Sequence, residues 1–254
     1  MTWSKSLRFV LPIFCISLVS SLSSQSADAK GKKASSPVVG VVTEGIAERL
    51  HEAPKGKKGK KKASGDVGKS FTALCDGALS SWKVTDLGDD GAWVGSFAGG
   101  IKPKRCLLLD TLPVPGMAAK GRPNATTAQV NAARAAAISA LTPKSGEAPA
   151  KVDVVVFHDG EGLVAVAQTT RPASAKSTCL DHTSLVVLAE HEGAWKSVFK
   201  PAGKGKDVCG YAFFTRGDVD ADGRDEIALR VDRAEGYGYR VLKRSKGSYT
   251  VVAK

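Results

Sequence analysis

Gly217-Asp218-Val219-Asp220-Ala221-Asp222-Gly223-Arg224-Asp225-Glu226-Ile227-Ala228-Leu229 is the stretch on which the reading of this chain turns. Aspartate and glycine favour turns, and an apolar run straight after them reads as a strand. A strand, an acidic turn and a second strand are therefore expected here. The turn also offers the donors of a hard cation. Calcium takes about six to eight oxygen ligands in flexible geometry. Asp218, Asp220 and Asp222 can turn three carboxylates inward, and Gly223 frees the backbone to bend. The Arg224 carbonyl can then face the ion and Glu226 can close the shell. An all-oxygen donor set favours calcium over zinc or copper. The plain alternative is a β-hairpin whose acidic turn stays solvated.

An EF-hand would place a bidentate glutamate at the twelfth position of such a loop. Counted from Asp218 that position is Leu229, so the EF-hand reading fails. The acidic residue at the ninth position, followed by Ile227-Ala228-Leu229, instead resembles the FG-GAP repeat, the calcium loop of integrin-type β-propeller blades. The resemblance is confined to the C-terminal segment from Tyr211 to about Val252, and the Phe-Gly and Gly-Ala-Pro signatures are absent. It implies a blade-like antiparallel unit with one structural calcium held by Asp218, Asp220, Asp222, Glu226 and the Arg224 carbonyl.

Working outward, apolar residues fall in short runs separated by glycine and charge, which is strand punctuation. Strands are expected over 82–87, 93–97, 105–109, 152–158, 163–169, 184–190, 194–199, 210–216, 226–233, 237–243 and 248–252. One helix is expected near 127–141. Thr126 or Thr127 can cap it, Val130, Ala133, Ala137, Ile138 and Leu141 line one face, and Pro143 stops it. Residues 187–198 and 241–252 share a pattern of apolar strand, polar turn with glycine, aromatic residue and apolar strand, 54 residues apart. Residues 84–97 offer a third, weaker copy. Full propellers take about four or more four-stranded blades. The expected fold is mostly β: antiparallel sheets as blade-like repeats, in a partial propeller or a two-sheet sandwich, with that one helix. Trp82, Trp93 and Trp195 are expected in its core, and Tyr237-Gly238-Tyr239 as a glycine-loosened strand entry.

Residues 1–29 read as a secretory signal peptide, with Lys5 and Arg8 at the start, an apolar run over 9–19 and Ala27-Asp28-Ala29 as a cleavage site. The apolar run is short for a membrane span, and no later segment is long and apolar enough to cross. The expected address is export, to a periplasm or beyond. Leaving out Cys15, the cysteines are Cys75, Cys106, Cys179 and Cys209, an even set that implies disulfides in an oxidising compartment. Of the three pairings, Cys75–Cys106 with Cys179–Cys209 is favoured because each closes one local unit. The chain-entropy model gives each roughly 3–4 kcal/mol. Cys179-Leu180-Asp181-His182 looks ligand-like, but no second Cys-x-x-Cys or His pair completes a zinc site.

The chain carries +12, and +7 of it lies in residues 30–69, where ten lysines and Arg49 face Glu44, Glu48, Glu52 and Asp66. The run Lys55-Gly56-Lys57-Lys58-Gly59-Lys60-Lys61-Lys62 repels itself and is expected to stay disordered. Residues 30–69 are thus a basic tail or linker, interrupted by a short amphipathic helix over 38–50, and residues 70–254 the disulfide-stapled domain. The tail can attract anionic lipid or polysaccharide. Nucleic acid fits less well, since the run lacks aromatic stacking partners. Residues 63–70 match a relaxed phosphate-loop pattern, but a lysine run rather than a buried strand leads into it. No nucleophile elbow or His-Glu-x-x-His helix is present. Of the four histidines, His51 and His191 are expected in solvent, while His158 and His182 each adjoin an aspartate. The reading leans away from an enzyme, towards a calcium-binding module for an unknown protein or glycan. The alternative is a hydrolase, or a hydrolase inhibitor, with a site assembled from dispersed residues.

Overall fold

The short apolar runs pair into two β assemblies. The structure is a computed structural model that describes residues 38–49, 63–89, 91–100, 105–110, 122–143, 146–175, 177–201 and 207–253. The expected signal peptide and the lysine run 55–62 lie outside them. The first assembly is a closed barrel of β1 (Val38–Thr43), β2 (Ile46–Arg49), β3 (Ser70–Cys75), β4 (Ala78–Leu87), β5 (Trp93–Phe97) and β6 (Arg105–Leu109), in the order β1-β2-β5-β4-β3-β6. Phe71, Trp82, Val84, Trp93 and Leu108 fill its interior. The Phe71 and Trp93 rings stack at 4.7 Å. Trp82 lies so close to the β5 backbone that a Cβ on Gly95 would sit 2.4 Å from its ring, so this position requires glycine. Cys75–Cys106 ties β3 to β6.

The second assembly is an eight-stranded sheet of β7 (Asp153–His158), β8 (Leu163–Pro172), β9 (Asp181–His191), β10 (Ala194–Phe199), β11 (Val208–Gly217), β12 (Glu226–Arg233), β13 (Tyr237–Ser245) and β14 (Ser248–Ala253). Its path runs β14-β13-β12-β11-β9-β8-β7, with β10 on β9. All pairings are antiparallel except β9 with β11, which meet at Thr183 and Gly210. A Cβ on Gly210 would stand 2.3 Å from the Thr183 carbonyl oxygen, so glycine permits this junction. Cys179–Cys209 clamps the same place.

Successive side chains of a strand point to opposite faces, and both faces of this sheet are covered. Val164, Val166, Leu185 and Val187 cluster with Ile227, Leu229, Leu242 and Tyr249 on one face. These residues are buried although no helix or barrel strand joins their cluster. The sheet therefore curls until this face is internal. Tyr249 of β14 hydrogen bonds Asp159, just past β7 at the far end of the strand order. On the opposite face the barrel packs against Phe214, Ala228, Tyr239 and Val241, and the helix α1 (Thr127–Leu141) packs against Ala165, Ala167, Val186 and Leu188.

The α1 helix follows its sequence signals. Thr126 caps it and Gln129 returns the bond to the Thr126 amide. Ala133, Ala137 and Leu141 are buried, and Val130 and Ile138 are half-buried. Thr126→Ala should cost about 1 kcal/mol; a urea midpoint unchanged from wild type would show that the cap contributes nothing.

The mostly β, antiparallel character and, among the described residues, the single long helix agree with the sequence. The echo at 54-residue spacing corresponds to two hairpins, β9–β10 and β13–β14. Each turns through two residues of positive φ, Glu192-Gly193 and Lys246-Gly247, as tight hairpin turns prefer. Three expectations need correction. Residues 38–49 are not a helix within a tail but a strand pair of the barrel, because Val38, Val41, Val42 and Ala47 alternate into two cores. The folded part therefore starts before residue 70. The supposed third copy over 84–97 belongs to the barrel hairpin β4–β5 and not to the curled sheet. Trp82 and Trp93 are core residues as expected, whereas Trp195 is half-buried beside α1.

Candidate metal centre

The acidic loop joins β11 to β12, and its ends are held by the pairing of Gly217 with Glu226. Gly217 is pressed onto the barrel; a Cβ there would meet the Leu74 side chain at 2.3 Å. Val219 is buried in the same junction. Asp218 is fully buried and folds the loop around itself. Its carboxylate accepts from the amides of Asp222 at 3.0 Å and Gly223 at 2.8 Å. The Asp222 carboxylate accepts from the Arg224 amide at 3.0 Å. Ala221 and Gly223 both take positive φ, 59° and 88°, which lets the chain turn twice in six residues.

This winding brings one carboxylate oxygen each of Asp218, Asp220 and Asp222 within 4.8 Å of one another. Glu226 faces the same space. Its Oε2 accepts from the Val219 amide at 2.8 Å, while Oε1 is buried and has no hydrogen-bond partner. The cation among these oxygens is the ammonium of Lys243 on β13. It pairs with Asp220, stands 2.9 Å from Asp222 Oδ2 and 3.8 Å from Glu226 Oε1. The register that pairs Ile227 with Leu242 sets Lys243 across from Glu226.

Electrostatics follow from burial, from the Lys243 cation and from the loop's own amides and charges. Burial raises the Asp218 carboxyl, and the charges of Asp222 and Asp220 add to the effect. Burial, with the like charges of Asp220 and Asp222, pushes Glu226 up to about 8. Burial alone would also raise Asp222, but the Lys243 hydrogen bond, the Arg224 amide and the charges of Lys243 and Arg224 together outweigh it and hold Asp222 below the usual carboxylate range. Burial opposes the Lys243 charge, yet its bonds to Asp220 and Asp222 win and raise it.

Asp225, in the middle of the motif, points away from this space. It is buried and bridges Arg122 and Arg216. Its amide donates to the Asp159 carbonyl at 2.8 Å. Asp159 lies in the β7–β8 turn, is fully buried, and accepts from Arg244 at 2.7 Å and Tyr249 at 2.8 Å. The two turns touch: a Cβ on Gly160 would fall 1.9 Å from the Gly223 carbonyl oxygen. The Arg224 guanidinium leaves the loop for Glu161 at 2.7 Å. This charge network was not read from the sequence, because Arg122 and Asp225 are brought together only by the fold.

The residues named for calcium thus fall into two groups. Asp218, Asp220 and Asp222 converge, and Glu226 joins them through Lys243. Arg224 sits beside them with its amide on Asp222, and its carbonyl as a ligand is still an expectation. The donor set fits a hard cation in chemistry and charge, and Glu226 Oε1 is the buried oxygen that lacks a donor.

Elsewhere, His182 lines a cleft of about 350 Å³ with Ser184, Lys200 and Tyr211. Its Nε2 lies 3.2 Å from Ser177 Oγ and its Nδ1 3.3 Å from the Cys209 carbonyl. No carboxylate bonds it among the described residues. His158 Nδ1 accepts from the Gly160 amide and so serves its own turn. No helix among the described residues is long and apolar enough to cross a membrane. Neither a family model, nor a curated protein, nor a solved structure matches this chain.

Proposed function

We propose that the chain is an exported, calcium-stabilised β-rich module that binds a protein or glycan partner at the cell envelope or beyond it. The observation that carries the calcium reading is the convergence of Asp218, Asp220 and Asp222, with the undonated Glu226 Oε1 3.8 Å from the Lys243 ammonium that pairs with two of them. Calcium there would be structural. It would neutralise carboxylates that repel one another, and it would tie the loop to β12 and β13. Affinity is expected on the order of 10⁻⁴–10⁻³ M, as in extracellular modules. Two disulfides suit an oxidising compartment. The FG-GAP-like spacing of the loop supports the same reading. The lysine-rich tail adds a candidate contact with anionic surfaces.

At about 10 mM calcium such a site would contribute roughly 1.5–3 kcal/mol through mass action. For a chain of this size that is a rise of several degrees in Tm. Thermal unfolding with calcium and with chelator measures it. Asp220→Ala should remove the response, because Asp220 is exposed and its partner in the fold is the Lys243 ammonium that calcium would replace. A wild-type Tm indifferent to calcium would overturn the reading.

A further inference from the structure

We propose that Lys243 is an internal competitor of the metal, an ammonium that holds the cation position until calcium displaces it and so sets how tightly calcium binds. The inference rests on the calcium reading above and adds a residue that the loop motif does not contain. Lys243 comes from β13, not from the loop, and reaches three of its four carboxylates: Asp220, Asp222 at 2.9 Å and Glu226 at 3.8 Å. Asp218 meanwhile spends both oxygens on the backbone amides of Asp222 and Gly223, which shape the loop without any metal. The loop is therefore wound in advance, and its missing charge is supplied from across the hairpin.

The ammonium is a poor substitute for an ion. It leaves Glu226 Oε1 without a hydrogen bond, and it carries one charge where four acidic side chains meet. It is also free to leave. The side chain is 31% exposed, and a lysine stem can swing its head into water. Calcium then sees only the fraction of molecules in which Lys243 has moved out. The measured affinity is the intrinsic one reduced by that fraction. Removing the ammonium should return the difference.

The test compares wild type with Lys243→Met, which keeps the stem length and deletes the charge, by calcium titration calorimetry at pH 8. Tightening of tenfold or more in the variant is the expected result. Binding by the variant alone would support the competitor and overturn calcium loading of the wild type. Equal binding by both proteins would overturn the competitor and leave the calcium reading intact. Binding by neither would end both. If Lys243→Met does not fold, the wild type answers by itself. Acetylation of Lys243 by a water-soluble acylating reagent, followed by mass spectrometry, should quicken several-fold on adding calcium. An unchanged rate in calcium-saturated protein would overturn the proposal.

Discussion

Asp225→Ala should destabilise the protein by about 3–5 kcal/mol, measured as a lowered urea midpoint with an unchanged slope. Breaking a buried charge pair by removing one partner leaves the other charge uncompensated, and that is where such losses come from. Asp225 serves two arginines at once, Arg122 and Arg216, with its own side chain fully buried. Arg122 also donates to the Gly223 and His158 carbonyls, so the aspartate fixes the arginine that clasps both turns. The alanine variant would leave Arg122 and Arg216 facing each other across a void. Asp225→Asn keeps the shape and one acceptor oxygen, so it should lose less. A cost under about 1 kcal/mol for the alanine variant would mean that the network is a consequence of the fold and not a support for it.

Without calcium, stability should fall as pH rises from about 5 to about 8, and Glu226→Gln should remove the glutamate's share of that fall. The folded chain keeps the Glu226 proton up to about 8, against an ordinary value of 4.5. Below pH 4.5 both folded and unfolded chains hold the proton and nothing is lost. Between the two values only the unfolded chain releases it, so unfolding is favoured progressively. The full window is worth on the order of 4 kcal/mol. The Asp218 carboxyl, also raised, acts in the same direction. The difference between wild type and Glu226→Gln isolates the glutamate. Calcium must expel that proton to use Oε1, so its affinity should climb towards tenfold per pH unit up to about 8. Equal affinities at pH 6 and pH 8 would place Glu226 outside the coordination sphere.

Much of the fold was legible because its signals are local. Runs such as 163–169 and 226–233 are apolar, short and bounded by glycine or aspartate, and each became a strand. Thr126 or Thr127 and Pro143 framed α1 by themselves. The pairing of Cys75 with Cys106 and Cys179 with Cys209 followed from proximity in sequence. The barrel was missed because its first hairpin looks like tail. Val38 to Arg49 lies between lysine clusters, and only tertiary contacts with Leu74, Leu107 and Leu109 reward it as strands. Ser70–Cys75 was missed for a related reason: the run is short and follows a phosphate-loop look-alike.

In the loop, spacing alone named Asp218, Asp220 and Asp222, and the fold brings these together. Lys243 was within reach of the same reasoning. Strands over 226–233 and 237–243 with a tight turn between them already set residue 243 opposite 226, and a basic residue there signals a filled cation position. Asp159, Asp225 and Arg122 gave no such signal, since their partners are far away in sequence.

The most direct measurement is a crystal structure grown or soaked in calcium at pH 8. It should contain a seven- or six-coordinate ion at about 2.3–2.6 Å from oxygens of Asp218, Asp220, Asp222, Glu226 and the Arg224 carbonyl. Lys243 should be turned out to solvent. An ammonium still bonded to Asp220 and Asp222 at saturating calcium, with no density between those carboxylates, would contradict the account.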